Sequence, residues 1–162
     1  MVIEIGQNIP NATLHTFGAA GPEQINLHDL AGAGKVALFG LPGAFTGTCT
    51  SAHVPSFIRS MDQLKAKGVN KVICVSVNDA FCMKAWGDAT EASAAGIDML
   101  ADPAAEFTKA IGMNFSVPDV GFYDRSKRFT MLIEDGVVTQ LNVEESPGVC
   151  ELSAAETLLD QI

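Results

Sequence analysis

The sequence predicts an α/β domain in which a mixed central sheet carries helices on both faces, and three observations predict it. Residues 35–40 and 71–77 are two nearly continuous apolar runs of strand length, as expected for strands covered on both sides. Between them, Val54, Phe57, Ile58, Met61 and Leu64 recur at helical spacing, which makes strand, helix, strand a βαβ unit. Further on, Asp135-Gly136 separates two strand-like runs, the strongest short-range signal for an antiparallel hairpin.

Each element follows in order. Ala12, Leu14 and Thr16 alternate with Thr13 and His15, and residues 18–22 read as a turn into a second strand at 24–27, giving an N-terminal hairpin. The run 35–40 is ended by Gly40 and Pro42, the helix 51–67 is stopped by Gly68, and the run 71–77 follows. A helix is expected over 80–89, a short strand over 98–101, and a helix from Pro103, tolerated in a first turn, to Gly112. Residues 128–133 and 137–143 form the hairpin around Asp135-Gly136. A last helix follows Ser153, with Glu156 three residues on completing a capping box. Parallel strands bridged by a helix, then an antiparallel hairpin and a closing helix, give the element order of the thioredoxin fold with an N-terminal β-hairpin extension. Without repeats or a linker, residues 1–162 are expected to form one domain.

Bulk properties narrow the function. Nineteen acidic against ten basic residues give a formal charge of −9, which repels phosphate backbones and anionic lipid, so neither nucleic acid nor membrane is an expected partner. No apolar run approaches the roughly 18–20 residues of a membrane helix. The first residues lack a basic patch followed by a long apolar core, and a cytoplasmic location is expected. Cys49, Cys74, Cys82 and Cys150 contain no CxxC pair and no zinc-like spacing, so neither a disulfide scaffold nor a structural metal is indicated.

The chemistry concentrates in residues 39–55, which run from a buried strand into the first turn of a helix, with Cys49 at the helix start. Unpaired amides and a partial positive charge at a helix start favour a thiolate over a thiol. A hydroperoxide attacked by that thiolate needs converging donors and a fixed cation while charge builds on the departing oxygen. Thr46 can offer its hydroxyl to the sulfur or the substrate, and Pro42 stiffens the loop and cannot donate to the reacting centre. The amides of Thr48 and Cys49 form a cradle for oxygen, with Gly47 and Thr48 expected against the substrate. The cation is not in this segment, and the residues alone leave Arg59, Arg125 and Arg128 open. His53 reads as a packing or hydrogen-bonding residue, because no further metal ligands accompany it. Phe81 and Trp86 read as core or interface.

Pro42-x-x-x-Thr46-x-x-Cys49 resembles the signature of the peroxiredoxins. The longer pattern through His53 and Pro55, with Val77-Asn78-Asp79 and Lys84-Ala85-Trp86 downstream, is similar to their type II, or peroxiredoxin 5, branch. The resemblance spans nearly the whole chain, from about Gly6 to the C-terminus. It implies a thiol-dependent peroxidase that reduces hydrogen peroxide and alkyl hydroperoxides with no bound cofactor or metal. It also implies that Arg128, before Phe129, is the catalytic arginine, with Arg125 second. Cys49 would become a sulfenic acid, and that acid must be captured by a thiol. Cys74 occupies a position similar to the resolving cysteine proposed for plant members, and Cys150 resembles the C-terminal one of animal relatives. Cys82 has little claim. Otherwise glutathione with glutaredoxin, or thioredoxin, resets the enzyme, and the family implies a homodimer. Many relatives carry Pro directly after the motif threonine, where this chain has Gly47. The rivals are a disulfide exchanger, disfavoured without CxxC, and a peroxide sensor that hands its oxidation to a partner.

Overall fold

The computed structural model describes residues 1–162. Strands β1 (Thr13–Gly18), β2 (Gly21–Asn26), β3 (Lys35–Leu41), β4 (Lys71–Ser76), β5 (Ile97–Ala101), β8 (Phe129–Glu134) and β9 (Val137–Val143) form one sheet in the order β2-β1-β5-β4-β3-β8-β9. The apolar runs 35–40 and 71–77 become its parallel centre, β3 beside β4, with β5 parallel to β4 and β8 antiparallel to β3. Their unbroken hydrophobicity has a geometric cause, since alternate residues face opposite layers. Ala37, Phe39, Leu41, Val72 and Cys74 pack into one layer with α2 (Val54–Ala66), α3 (Ala80–Ala89) and α5 (Ala155–Gln161). Val36, Leu38, Ile73 and Val75 pack into the other with α1 (Leu27–Ala31) and α4 (Glu106–Ala110). This is the expected thioredoxin-like fold, extended by the β1–β2 hairpin. No helix is long and apolar enough to cross a membrane.

The β8–β9 turn matches its signal, with Asp135 at φ 48° and Gly136 at φ 81°, the two positive values a two-residue I′ turn requires. Two local expectations fail for physical reasons, and one element was not expected at all. The helix expected from Pro103 starts only at Glu106, because Ala105 takes a left-handed φ of 55°. The buried Asp102 carboxylate then caps α4, accepting from the Thr108 amide at 2.9 Å and its hydroxyl at 2.8 Å. No capping box forms at α5. The Ser153 hydroxyl donates to Glu144, Glu156 pairs with Arg59, and the Ala155 amide is instead capped by the Ser56 hydroxyl of α2 at 3.1 Å. The unexpected element is a separate ribbon, β6 (Asn114–Val117) with β7 (Phe122–Ser126), joined by a 3₁₀ turn at Pro118–Val120. Its residues are largely exposed or half-buried, so no apolar alternation announced it.

Candidate active site

The helix that follows β3 begins with a widened turn. Residues Cys49–His53 form a π-helical turn whose closing bond runs from the Val54 amide to the Cys49 carbonyl. Pro55 has no N–H with which to continue an α-helical ladder at this point, and α2 proceeds regularly beyond it. The first bond of the turn joins the Thr50 amide to the Thr46 carbonyl at 3.1 Å. The amides of Gly47, Thr48 and Cys49 therefore make no hydrogen bond within the chain, as the first turn of a helix dictates. The loop before them is pinned by the segment that follows β4, and the turn itself by α3. Asn78 accepts from the Ala44 amide at 3.0 Å, and Trp86 Nε1 donates to the Thr50 hydroxyl at 3.1 Å.

A cleft of about 280 Å³ opens over this turn, lined by Pro42, Thr46, Gly47, Thr48, Cys49 and Arg128 together with Phe122, Pro147 and Gly148. All the residues expected around the sulfur thus converge. The Cys49 side chain is 1% exposed, so the cleft is its access. Thr46 differs from expectation in one respect: its hydroxyl donates to the Gly43 carbonyl at 2.6 Å, which leaves its oxygen lone pairs to accept from the cleft.

Arg128, at the start of β8 and 1% exposed, supplies the cation. Its Nη2 donates to Cys49 Sγ at 3.3 Å and to the Pro147 carbonyl at 2.8 Å, while Nη1 donates to His53 Nδ1 at 3.1 Å. An Nδ1 that accepts requires the proton on Nε2, which donates to the Ser153 carbonyl at 3.0 Å. His53 is held in this neutral state, its pKa lowered to about 3 by burial and then by the Arg128 charge. Arg125 stands apart from the sulfur, donating to the Pro42 carbonyl at 3.0 Å and lying over the Phe122 ring. It braces the loop from outside. Arg59 is on the surface with Glu156.

The remaining cysteines are not in the cleft. Cys74 lies in β4 opposite Phe39, fully buried, and burial raises its thiol well above the ordinary range. Half-exposed Cys82 lies in the first turn of α3, where its amide donates to the capping Asp79 carboxylate, and its thiol is raised by burial and then by Asp79. Cys150 sits on residues 144–153, a loop laid along the cleft mouth by the Arg128 bond to Pro147 and a 3.0 Å bond from the Thr48 hydroxyl to the Gly148 carbonyl. Buried Glu144 fastens that loop, its Oε1 accepting from the amides of Glu151 and Ser153 and the Ser153 hydroxyl. Burial raises the Cys150 thiol. No three His, Cys, Asp or Glu side chains gather as metal donors.

Sequence reasoning missed Phe122, Pro147, Gly148 and Glu144. The only signal was the Pro147-Gly148 turn and a charged residue continuing a half-buried strand, neither of which points at a site on its own.

Comparison with known proteins places this geometry. The Redoxin family model matches residues 4–159. Peroxiredoxin-2B of Arabidopsis thaliana is 42% identical over 158 residues, covering 97% of this chain and 96% of that protein. The solved structure of reduced Prx3 from Vibrio vulnificus in complex with H2O2 superposes with a TM-score of 0.90 at 50% identity, covering 99% of each chain. Peroxiredoxin 5 from Alvinella pompejana superposes with a TM-score of 0.84 at 29% identity, covering 97% of this chain and 96% of that one.

Proposed function

The chain belongs to the Redoxin family and is a thiol-dependent peroxidase of the peroxiredoxin type; from that premise we propose how its residues divide the reaction. Cys49 is the peroxidatic thiol. Its sulfur attacks the terminal oxygen of a hydroperoxide, the O–O bond breaks, and the departing oxygen leaves as water or alcohol after taking a proton. Cys49 is left as a sulfenic acid. The Thr46 oxygen accepts the hydroperoxide O–H, because its own proton is committed to Gly43. The amides of Thr48 and Cys49 and Arg128 Nη2 receive the charge that develops on the oxygens. Pro42 and Phe122 wall the cleft against water. The observation that carries this reading is the 3.3 Å bond from a buried guanidinium to Cys49 Sγ, inside the one cleft that also holds Thr46. Stopped-flow reaction of the reduced protein with hydrogen peroxide and with an alkyl hydroperoxide tests it, and a rate constant no faster than that of free cysteine refutes it.

For the second half of the cycle we place the reductant outside the chain. Glutathione with glutaredoxin, or thioredoxin, takes the sulfenic oxygen off Cys49 by disulfide formation. Burial keeps both Cys74 and Cys150 as thiols, and Glu144 fastens the loop that carries Cys150. One observation favours a second reading, in which Cys150 resolves Cys49 within the chain. Cys150 is two residues from Gly148, which already touches Thr48. Turnover with each reductant, and mass spectrometry of the oxidised protein, decides between an external partner and a Cys49–Cys150 or Cys49–Cys74 disulfide.

A homodimer is proposed on exposed Phe45, Phe81, Val120 and Tyr123, with Phe45 57% exposed at a left-handed φ of 61° beside the cleft. Sedimentation of the reduced protein tests it, and a monomer at high micromolar concentration refutes it. A cytoplasmic location is supported by four free thiols, which suit a reducing compartment, and cell fractionation tests it.

A further inference from the structure

A second cavity, of about 240 Å³, lies behind the arginine of the cleft and is formed by Phe115, Lys127, Arg128, Glu144, Glu145 and Pro147. Arg128 and Pro147 line both spaces, so the two are neighbours on either side of the bond between them.

Its lining carries charges of both signs that form no ion pair with one another. Lys35, Arg59, Lys71, Lys84 and Lys109 sit in ion pairs, and Lys67, Arg125 and Arg128 donate to carbonyl oxygens. Of the ten basic residues only Lys65 and Lys127 lack a partner, and of these Lys65 is exposed whereas Lys127 is half-buried. The Glu145 carboxylate on the same cavity is exposed and does not pair with Lys127, so it is free to meet a ligand at the rim. Arg128 keeps one donor, Nε, without an acceptor. Buried Glu144 has all its recorded bonds on Oε1 and none on Oε2. Unpaired charges of both signs, held apart over one small hollow, are complementary to a small molecule that carries carboxylate and ammonium together.

We infer that this cavity docks a small zwitterionic thiol, an aminocarboxylate peptide of the glutathione class, which resets Cys49. The ligand's carboxylate meets Lys127, its ammonium meets Glu145 and Glu144, and its thiol passes Pro147 toward the cleft. The step is a condensation: the ligand sulfur bonds to Cys49 Sγ and displaces the sulfenic hydroxyl, which leaves as water with the thiol proton. A second molecule of the same thiol attacks the ligand sulfur of the mixed disulfide, which releases Cys49 as a thiol and a symmetrical disulfide as product. This rests on the reading that Cys49 forms a sulfenic acid and is reset from outside.

The test is a single turnover. The protein is oxidised with one equivalent of hydrogen peroxide and mixed with glutathione or with uncharged 2-mercaptoethanol, and the Cys49 adduct is followed by rapid-quench mass spectrometry. In Lys127→Glu and in Glu145→Lys, the ratio of the glutathione rate to the mercaptoethanol rate falls about tenfold, the loss of one charge-assisted contact. A ratio unchanged in both variants overturns the cavity as the docking site. No Cys49 adduct with either thiol in the unaltered protein overturns the external-thiol reading and the inference with it.

Discussion

Cys49 and Cys74 are equally enclosed, 1% and 0% exposed, and belong to the same apolar layer, yet their surroundings differ completely. Cys74 lies in the middle of β4 between Phe39 and Met99, where burial, and then the nearby Cys49, raise the thiol by more than the Arg128 charge lowers it, which holds it protonated. Cys49 lies beyond the loop that follows β3, where a helix begins, unpaired amides surround the turn, and a guanidinium donates to the sulfur. Exposure therefore does not separate a reactive thiol from an inert one. The supply of donors does, and the fold provides it only where a strand gives way to a helix start.

The largest effect sets the two cysteines directly against each other. Cys49→Ser is expected to reduce the reaction with peroxide to background, because a hydroxyl oxygen is a far weaker nucleophile toward peroxide than sulfur. Cys74→Ala is expected to leave the stopped-flow rate within about twofold and to cost about 1 kcal/mol of stability from the small cavity it leaves. A tenfold slowing in Cys74→Ala breaks the comparison.

The next effect removes what Cys49 has and Cys74 lacks. Arg128→Ala is expected to slow the reaction with peroxide by about 10²–10³, the usual cost of losing a preorganised donor to a developing charge. Guanidinium ion added at millimolar concentration should recover part of that loss if the truncated side chain leaves a space of the right shape. A fall smaller than about fivefold would mean that the helix start alone suffices.

How much of this was legible in the sequence follows the same division. The strands β3 and β4, the helix between them and the Asp135-Gly136 turn were readable because buried periodicity and turn chemistry are local signals. Pro42, Thr46 and Cys49 were readable because one short segment carries them. Arg128 was not, because a cation from a distant strand has no spacing relation to the sulfur, and only resemblance selected it over Arg125. The His53 bond to Arg128 and the Glu144 clasp were hidden for the same reason, being contacts across 75 positions in one case and within an irregular loop in the other. The widened turn at Cys49 could not be read from helix periodicity either.

The two cysteine environments also predict opposite pH windows. Free histidine takes a proton near 6.5, but folded His53 stays neutral down to about 3, so the unfolded chain binds more protons between these values. Stability from this group is complete above pH 6.5 and is lost as the pH falls below it, by about 1.4 kcal/mol per unit. Cys74 works the other way: its raised thiol keeps its proton when the unfolded thiol, near 9.0, has lost one, so its contribution fades only above pH 9. Urea midpoints between pH 7 and 4.5 should fall less steeply for His53→Gln than for the unaltered protein. Equal slopes would mean that His53 is protonated in the fold, and the orientation of Arg128 would then need another explanation.

The smallest effect asks how many amides Cys49 needs. Gly47 stands in the first helical turn, its φ lies outside the left-handed region, and nothing lies within 4 Å of the place a Cβ would take. Proline is well suited to a first helical position, where its missing N–H has no backbone partner to lose. Gly47→Pro restricts the unfolded chain and is expected to add up to about 1 kcal/mol, seen as a Tm rise of about 2–4 °C. It also deletes one of the three unpaired amides beside the sulfur while leaving those of Thr48 and Cys49 in place. If those two hold the substrate oxygens, the rate with peroxide stays within about threefold, whereas a bond donated by Gly47 to the transition state would make the loss about tenfold. A tenfold loss with the Tm rise intact would therefore assign the third amide to the chemistry, and it would show that a glycine here contributes a donor that a proline cannot.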